Sequence, residues 1–190
     1  LLNGLSYVDD STKISNNIFD GLTSTKLKNY EIVPKNVSRL KSFNLSSYSN
    51  YKKNSKLEDL KEDRLSSIIN ENLIEYSELI LNEDQLFIIR LKDIQLFKDY
   101  LSENNNIKST HRNFNIYDNT FLDYKLTNSV IEYNYKKKIL VFKNHIVFSD
   151  NETTLIEFIN ENLKGNTLQE DSSFNNSLTE ISSFNTLNNN

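Results

Sequence analysis

The fold is decided by the stretch Glu78–Glu103, ELILNEDQLFIIRLKDIQLFKDYLSE, in which a strand pattern gives way to a helix pattern. Two apolar runs, Ser77–Leu81 and Gln85–Leu91, flank the polar residues Asn82–Asp84, which predicts a β-hairpin. The apolar residues that follow recur at helical spacing, and Asp93 stands where an N-cap belongs. That stripe consists of Ile94, Leu96, Phe97, Tyr100 and Leu101. The stretch therefore predicts strand, tight turn, strand and helix in succession.

A second stretch, Ile139–Leu163, has the same order of patterns. Ile139–Phe142 and His145–Phe148 flank Lys143–Asn144, a turn that Asn suits because it tolerates positive φ. The residues Ser149–Glu152 have the capping-box form S-x-x-E and predict a helix start. The buried stripe of this helix and its C-terminal cap are predicted at Leu155, Ile156, Ile159, Leu163 and Gly165.

Two such units predict an α+β domain with repeated ββα units. Short connections favour antiparallel neighbours over parallel crossovers, so we expect an antiparallel sheet. Each helix carries one apolar stripe, so we expect Asp93–Glu103 and Asn151–Leu163 to cover one face of that sheet. Duplication and coincidence of two common patterns both remain open. The core is predicted at Phe87, Ile89, Phe97, Leu101, Val141, Val147, Ile156 and Ile159.

Further elements are predicted on either side of these units. Alternation predicts strands at Val37–Leu45 and Ser129–Lys136, and Ile107–Tyr117 is expected to be extended. Leu57–Leu73 fits helical spacing from Leu65 onward. One more short helix is predicted by Phe174, Leu178 and Ile181.

The chain is expected to divide into three parts. Residues 1–29 are the end of a preceding unit, or an N-terminal strand and linker. Residues 30–165 are the α+β domain, and residues 166–190 are a C-terminal helix with the start of a following strand. A length of 190 residues suits one domain with flanking pieces. The chain begins with Leu1 rather than Met, so we expect a processed or truncated piece, for which export stays open.

Composition excludes several classes of function. A formal net charge of -4 argues against nucleic acid as a partner, because that binding depends on clustered Lys and Arg. No apolar run is long enough to span a membrane. The absence of cysteine excludes disulfides, thiolate metal sites and Cys nucleophiles. Three glycines cannot supply a phosphate-binding loop.

Few residues are candidates for chemistry. His111 and His145 cannot complete a zinc site without carboxylates from elsewhere, and no nucleophile-elbow glycines surround any serine. The basic run Lys136–Lys138 lies between predicted strands and indicates a solvated turn rather than an anion site. We therefore assign no catalytic, cofactor-binding or metal residue, and expect no cofactor.

Several segments resemble a known family. They are Leu1–Ser11 (LLNGLSYVDDS), Ile32–Val37 (IVPKNV), Leu40–Asn54 (LKSFNLSSYSNYKKN), Asn144–Asp150 (NHIVFSD) and Gly165–Phe174 (GNTLQEDSSF). They are similar to blocks in large uncharacterised Bacteroidota proteins that carry the domain of unknown function 3352, in their flavobacterial form. The resemblance covers nearly the whole chain, but its motifs mark junctions between strands and helices and contain no catalytic pattern. It implies an exported cell-envelope protein with tandem α+β units and supplies no catalytic residues.

Two classes of function follow. The first is a non-catalytic module of a larger envelope or periplasmic protein, acting as a scaffold or a protein- or glycan-binding surface. Its partners would be neighbouring units of the same chain or another envelope protein. The alternative is part of an envelope enzyme whose active site lies elsewhere or is shared. A deep pocket lined by carboxylates, or by a carboxylate and His111, would favour that alternative.

Overall fold

The computed structural model describes residues 27–44, 50, 64–104, 107–119 and 136–177. Its strands are β1 Val37–Asn44, β2 Leu73–Leu81, β3 Asp84–Leu91, β4 Ile107–His111, β5 Phe114–Asp118, β6 Lys138–Phe142 and β7 His145–Ser149. Its helices are α1 Arg64–Asn72, α2 Gln95–Asn104 and α3 Glu152–Leu163. The strands form one seven-stranded sheet in the order β1-β2-β3-β7-β6-β5-β4, with every neighbouring pair antiparallel. The protein is therefore of the mixed α+β class with an antiparallel sheet, as predicted.

Both predicted hairpins are present. The turn between β2 and β3 places Asn82 and Glu83 at φ 49° and 70°, the doubly positive pattern of a type I′ turn. Between β6 and β7, the positive φ of 54° belongs to Lys143 rather than to the expected Asn144. Strand β2 begins at Leu73, earlier than predicted, because the run from there is buried at most positions.

The interpretation of Ile107–Tyr117 as one extended segment is wrong. The chain reverses within it, and β4 pairs with β5 through a turn at Arg112 and Asn113, with φ 47° and 68°. The turn contains neither Gly nor Pro, the strongest turn signals, so its sequence resembles that of the strands beside it. The hairpin places β4 at one edge of the sheet.

Apolar side chains on alternate positions of the strands build a core on each face of the sheet. We call the face covered by α1 and α2 face A. Its buried core consists of Leu65, Ile68, Ile69, Leu73, Tyr76, Phe87, Ile89, Leu91, Phe97, Leu101, Ile139, Ile146 and Phe148. Face B is covered by α3 together with residues 27–34, which we call the cover segment. Its core consists of Ile32, Val33, Leu79, Leu81, Leu86, Ile88, Ile116, Leu140, Phe142, Val147, Leu155, Phe158, Ile159 and Leu168.

The expectation that both helices cover one face is wrong. Phe97 and Leu101 of α2 lie in the core of face A, whereas Leu155 and Ile159 of α3 lie in the core of face B. The physical reason is that the central strands are apolar on both sides. All five residues of β7 are buried, so helices on one face alone would leave the other apolar face in water.

A repeat of the ββα unit is not confirmed. Strand, strand and helix do follow one another twice, as β2–β3–α2 and β6–β7–α3. Strands β3 and β7 are antiparallel neighbours, so a true repeat would relate the two hairpins by a twofold axis perpendicular to the sheet. Such a rotation does not exchange the two faces of the sheet, so it would place both helices on one face. Since the helices lie on opposite faces, the two units have opposite hands.

Most of the predicted core is confirmed. The side chains of Phe87, Ile89, Phe97, Leu101, Val147 and Ile159 are buried. Val141 and Ile156 are only half-buried. Leu96 and Leu163, which were assigned to the helix stripes, are 45% and 50% exposed, so each stripe is narrower than predicted.

The helix starts are capped by side chains. Asp93 Oδ1 accepts a hydrogen bond of 2.8 Å from the backbone N–H of Gln95, the first residue of α2. Asp93, the predicted N-cap, thus lies one residue before the N-cap position. The capping box expected at Ser149 is wrong, because α3 begins later and its N-cap is Asn151. Asn151 Oδ1 accepts from the N–H of Thr153 at 2.9 Å, while Ser149 Oγ accepts from the N–H of Asn151.

Helix α3 ends as predicted at a cap glycine. Gly165 has φ +76°, and its N–H donates to the carbonyl of Asn162 at 3.1 Å. The N–H of Asn166 donates to the carbonyl of Glu161 at 2.9 Å, which completes a Schellman motif. The positive φ directs the following residues toward face B, where Leu168 is buried.

The margins of the predicted domain contribute to the core. Asn29 and Leu168, just outside residues 30–165, are buried. Residues 172–177 are helical, in agreement with the helix predicted at Phe174, while Leu178 and Ile181 lie outside the described residues. So do residues 129–135 of a predicted strand and residues 1–26 and 178–190 of the flanking parts. No helix in the described part of the chain is long and apolar enough to cross a membrane.

Candidate functional site

The two histidines of the chain lie in different parts of the sheet. His111 ends the edge strand β4, and its Nε2 lies 3.0 Å from Asn160 Oδ1 of α3. His145 begins β7, and β6 and β5 lie between β7 and β4. Three strand spacings amount to roughly 14 Å, so the imidazoles cannot share a ligand. Among the described residues, no group of three or more His, Asp or Glu could hold a metal ion.

The basic run at Lys136–Lys138 is solvated only in part, because Lys137 is exposed whereas Lys136 is buried and Lys138 is half-buried. Lys136 Nζ lies 2.9 Å from Asp150 Oδ2 and 5.5 Å from the centre of the Phe87 ring. Lys138 starts β6 and pairs with Asp118 of β5. The solvated interpretation does not hold for these two residues because long Lys stems pack on apolar surface while the ammonium reaches a carboxylate.

Strand register brings together three polar residues that the sequence analysis missed. Glu75 of β2 pairs with Arg90 of β3, and Arg90 pairs with His145 of β7. Directly paired residues share a face, so these side chains form a line across face B, which we call the polar row. Phe142 of β6 continues the same line as an apolar residue. The same three strands, β2, β3 and β7, also contribute apolar side chains to this face, among them Leu79, Ile88 and Val147.

Glu75 is the anchor of the polar row. Its side chain is fully buried, and Oε1 accepts a hydrogen bond of 2.8 Å from the N–H of Asn29. Oε2 accepts from the N–H of Lys28 at 2.8 Å and from Arg90 Nε at 3.1 Å. One buried carboxylate thus binds the backbone of the cover segment and a guanidinium at the same time.

The environment of Glu75 acts on its pKa in two directions. Burial raises the pKa above its usual range, because the interior disfavours the charged form. The N–H groups of Asn29 and Lys28, followed by the charge of Arg90, oppose that rise. These partners supply the hydrogen bonds and the counter-charge without which a buried carboxylate would be costly.

Asn29 extends the polar contacts beside the row. Its Nδ2 donates to Ser77 Oγ at 2.8 Å and lies 3.4 Å from the carbonyl oxygen of Ile88. The hydroxyls of Ser77 and Ser42 lie 2.7 Å apart, which links β1 to the same network. The cover segment is therefore held to β2 and β3 by side-chain and backbone hydrogen bonds, and β1 joins the network through Ser42.

His145 is the exception within this network. It is 5% exposed, and neither ring nitrogen has a hydrogen-bond partner in the described part of the chain. Burial lowers its pKa to about 4, with further lowering by the positive charges of Arg90 and Lys143, while the nearby backbone of Phe142 acts in the opposite direction. The imidazole is consequently neutral at pH 7.

Other polar residues connect the layers around face B. Asp84 Oδ2, in the first position of β3, accepts from Asn151 Nδ2 at 2.9 Å and from the hydroxyl of Thr154 in α3. Glu157 of α3 accepts from Asn36 Nδ2 at 3.0 Å and from Asn82 in the β2–β3 turn. These carboxylates hold α3 on the sheet and have side-chain partners of their own.

The polar contacts described above join the cover segment and α3 to the sheet. Nucleophilic catalysis needs a base beside a nucleophile, and the contacts of His111 and His145 include no hydroxyl among the described residues. No protein-family model, curated protein or solved structure matches this chain. What the fold defines is an α+β protein built on an antiparallel seven-stranded sheet. The resemblance to proteins with the domain of unknown function 3352 stays a prediction.

Proposed function

We propose that this chain is a non-catalytic module of a larger exported cell-envelope protein, in which the sheet serves as a scaffold. Its partners are neighbouring units of the same chain or another envelope protein. The module presents a surface for contact and leaves chemistry to other components.

The observation that supports this proposal is the set of contacts made by the buried carboxylate of Glu75. A fully buried carboxylate is the group most often adapted for acid–base chemistry when it faces a cleft. Here its oxygens are engaged by two backbone N–H groups of the cover segment and by Arg90. Asp84 and Glu157 are likewise engaged in holding α3 to the sheet. Polar groups that hold a helix and a chain segment to the sheet favour a scaffold role.

Cell fractionation tests the location. The full-length parent protein, carrying an epitope tag, would be followed through cytoplasmic, periplasmic and membrane fractions with a marker protein for each. We expect the tag in an envelope fraction. Recovery with the cytoplasmic marker would contradict the proposal.

The absence of chemistry is tested on the purified chain. Metal analysis after exhaustive dialysis is expected to give zinc, iron and calcium well below one ion per chain. The His111→Gln variant, whose amide can still reach Asn160, serves as the matched control. Stoichiometric metal that disappears in that variant would favour the envelope-enzyme alternative, in which this module shares an active site.

A further inference from the structure

The sheet has two edge strands, which differ in how well they could pair with an added strand. Strand β4 has five residues, and a register shift between Ile107 and Ser109 interrupts its pairing with β5. Short and bulged edges are the usual protection against unwanted strand pairing. Strand β1 has eight residues, and its pairing with β2 is regular from Arg39 to Asn44. Strand β1 is therefore the edge with the longer template for another strand.

The outer side of β1 carries backbone groups that β2 cannot reach. In the described part of the chain, β2 is the only strand that pairs with β1. An antiparallel edge strand directs about half of its N–H and C=O groups away from its neighbour. Between Arg39 and Asn44, no proline removes a donor and no glycine weakens the strand. Such groups bind an extended segment through main-chain hydrogen bonds, the mode called β-augmentation.

The side chains that β1 places on face A include two exposed basic residues. Arg39 and Lys41 stand on the same side of the strand as Phe43, which packs against the face A core. Lys41 Nζ lies 5.1 Å from the centre of the Phe43 ring, so the ammonium stays beside β1 itself. Strand β1 contains no acidic residue, although the chain as a whole has a formal net charge of -4. An added strand would therefore meet positive charge on this face.

The carboxylate opposite Lys41 does not neutralise that charge by an ion pair. Glu78 of β2 is the direct partner of Lys41, but its Oε1 accepts a hydrogen bond of 2.9 Å from Gln85 Nε2. Within the described part of the chain, Lys41 forms no ion pair. A carboxylate on an added strand could thus approach Lys41 without breaking an existing pair.

On face B, β1 offers an apolar contact. Leu40 is half-buried and packs against the face B core, so an apolar side chain placed beside it would extend that core. Successive side chains of a strand point to opposite faces. The partner that fits both faces therefore has acidic residues at every second position and apolar residues between them.

A second copy of this chain does not supply that pattern from its described edge strands. Strand β1 carries Arg39 and Lys41, and β4 carries the exposed Lys108. Pairing of any two of these edges brings positive charges together, which is destabilising for charges directly opposite each other. The same charges that oppose self-association thus favour an acidic partner.

We propose that the outer edge of β1 binds an extended segment of another protein in which acidic and apolar residues alternate. The segment pairs with β1 as an added strand, with its carboxylates beside Arg39 and Lys41 and its apolar side chains beside Leu40. This proposal rests on the contact role proposed above and names the chemistry of the partner. Its test uses the purified chain, so its failure is distinguishable from a failure of the predicted cell location.

Peptide binding to the full chain tests this edge. The probe is a capped peptide of about seven residues, an ordinary strand length, with glutamate at alternate positions and valine between them. The matched control peptide has lysine in place of glutamate. We expect the glutamate peptide to bind about tenfold more tightly, because ion pairs replace like-charge contacts at two positions. High salt should reduce this preference, and binding should increase the hydrogen-exchange protection of the β1 amides.

Charge reversal at each edge locates the binding site. Lys41→Glu should bind the lysine peptide more tightly than the glutamate peptide, and Arg39→Glu serves as a second variant at the same edge. Lys108→Glu, an exposed charge reversal in β4, is the matched control and should keep the wild-type preference.

Three results would overturn the proposal. Equal binding of the two peptides, or a preference that neither β1 variant changes, would show that these charges do not select the partner. Failure of both peptides to bind would show that the edge does not accept a strand of this chemistry, as when a segment of the same chain already lies there. A dimer of the free chain with protected β1 amides would show that the occupant is a second copy.

Discussion

Faces A and B are built from the same strands but are stabilised differently. On face A, alternate residues of β3 and β7 such as Phe87, Ile89 and Phe148 meet the helices α1 and α2 in an apolar core. On face B, the intervening residues include Glu75, Arg90 and His145 beside an apolar core that meets α3. Face A therefore depends on apolar burial, whereas face B adds hydrogen bonds that fix the position of a chain segment. Face A thus contributes to the overall stability of the fold, whereas face B also determines where the cover segment lies.

The largest effects should be the same on both faces, because both have dense apolar cores. Leu101→Ala on face A and Ile159→Ala on face B should each lower the free energy of unfolding by ~2–5 kcal/mol, measured by urea denaturation. Leu96→Ala, at a 45% exposed position of α2, is the control and should cost less than about 0.5 kcal/mol. Losses below about 1 kcal/mol at both buried sites would show that the core is assigned wrongly.

The second effect should occur on face B alone. Glu75→Gln keeps the shape of the side chain but removes the negative charge beside Arg90, so we expect a loss of about 2–3 kcal/mol in unfolding free energy. The cost stays below that of a fully buried pair because Arg90 is 17% exposed. Glu103→Gln, which removes an exposed ion pair with Arg64, is the matched control and should cost less than about 1 kcal/mol. Equal losses in the two variants would show that the buried pair of Glu75 and Arg90 contributes no more stability than an exposed ion pair.

The pH dependence should also distinguish the faces. His145 contributes stability that is complete above about pH 6.5 and is lost progressively as the pH falls from about 6.5 to about 4, and the loss reaches about 2 kcal/mol at pH 5. His145→Phe should therefore be less sensitive than the wild type to a change from pH 7 to pH 5 in thermal unfolding. Parallel stability curves for the two proteins would contradict the lowered pKa.

The smallest effect concerns the end of α3. Gly165→Ala should cost about 1 kcal/mol, because φ +76° is unfavourable for a residue with Cβ although open space surrounds the added atom. Gly165→Asn should cost less, since Asn tolerates this conformation better. Calorimetry of the two variants would measure the difference, and an Ala variant as stable as the wild type would show that the helix can end in another conformation.

The periodic patterns predicted the elements well. Apolar runs on either side of short polar turns placed the two predicted hairpins, and the apolar spacing placed α2 and α3 with their core residues Phe97, Leu101 and Ile159. These features depend on neighbours in sequence, which the pattern records directly. The hairpin at Arg112–Asn113 was missed although Asn113 tolerates positive φ, because neither Gly nor Pro marks the turn.

The arrangement of the elements and the polar row could not be predicted. Strands that are apolar on both sides, such as β7, do not indicate which face the next helix covers. The polar row depends on the pairing of Glu75 with Arg90 across the β2–β3 hairpin and of Arg90 with His145, and His145 comes from a strand that is distant in sequence. The ionisable residue that each strand adds to the row gives no signal until register aligns the three.

The pairing of β3 with β7 also has a consequence for how fast the chain folds. It joins residues such as Phe87 and Phe148, which are distant in sequence, whereas β2–β3, β4–β5 and β6–β7 join across tight turns. Local hairpins close quickly, but a distant pair must first overcome the entropy of closing a long loop. We expect the β3–β7 seam to form in the rate-limiting step, so that weakening it slows refolding more than it speeds unfolding.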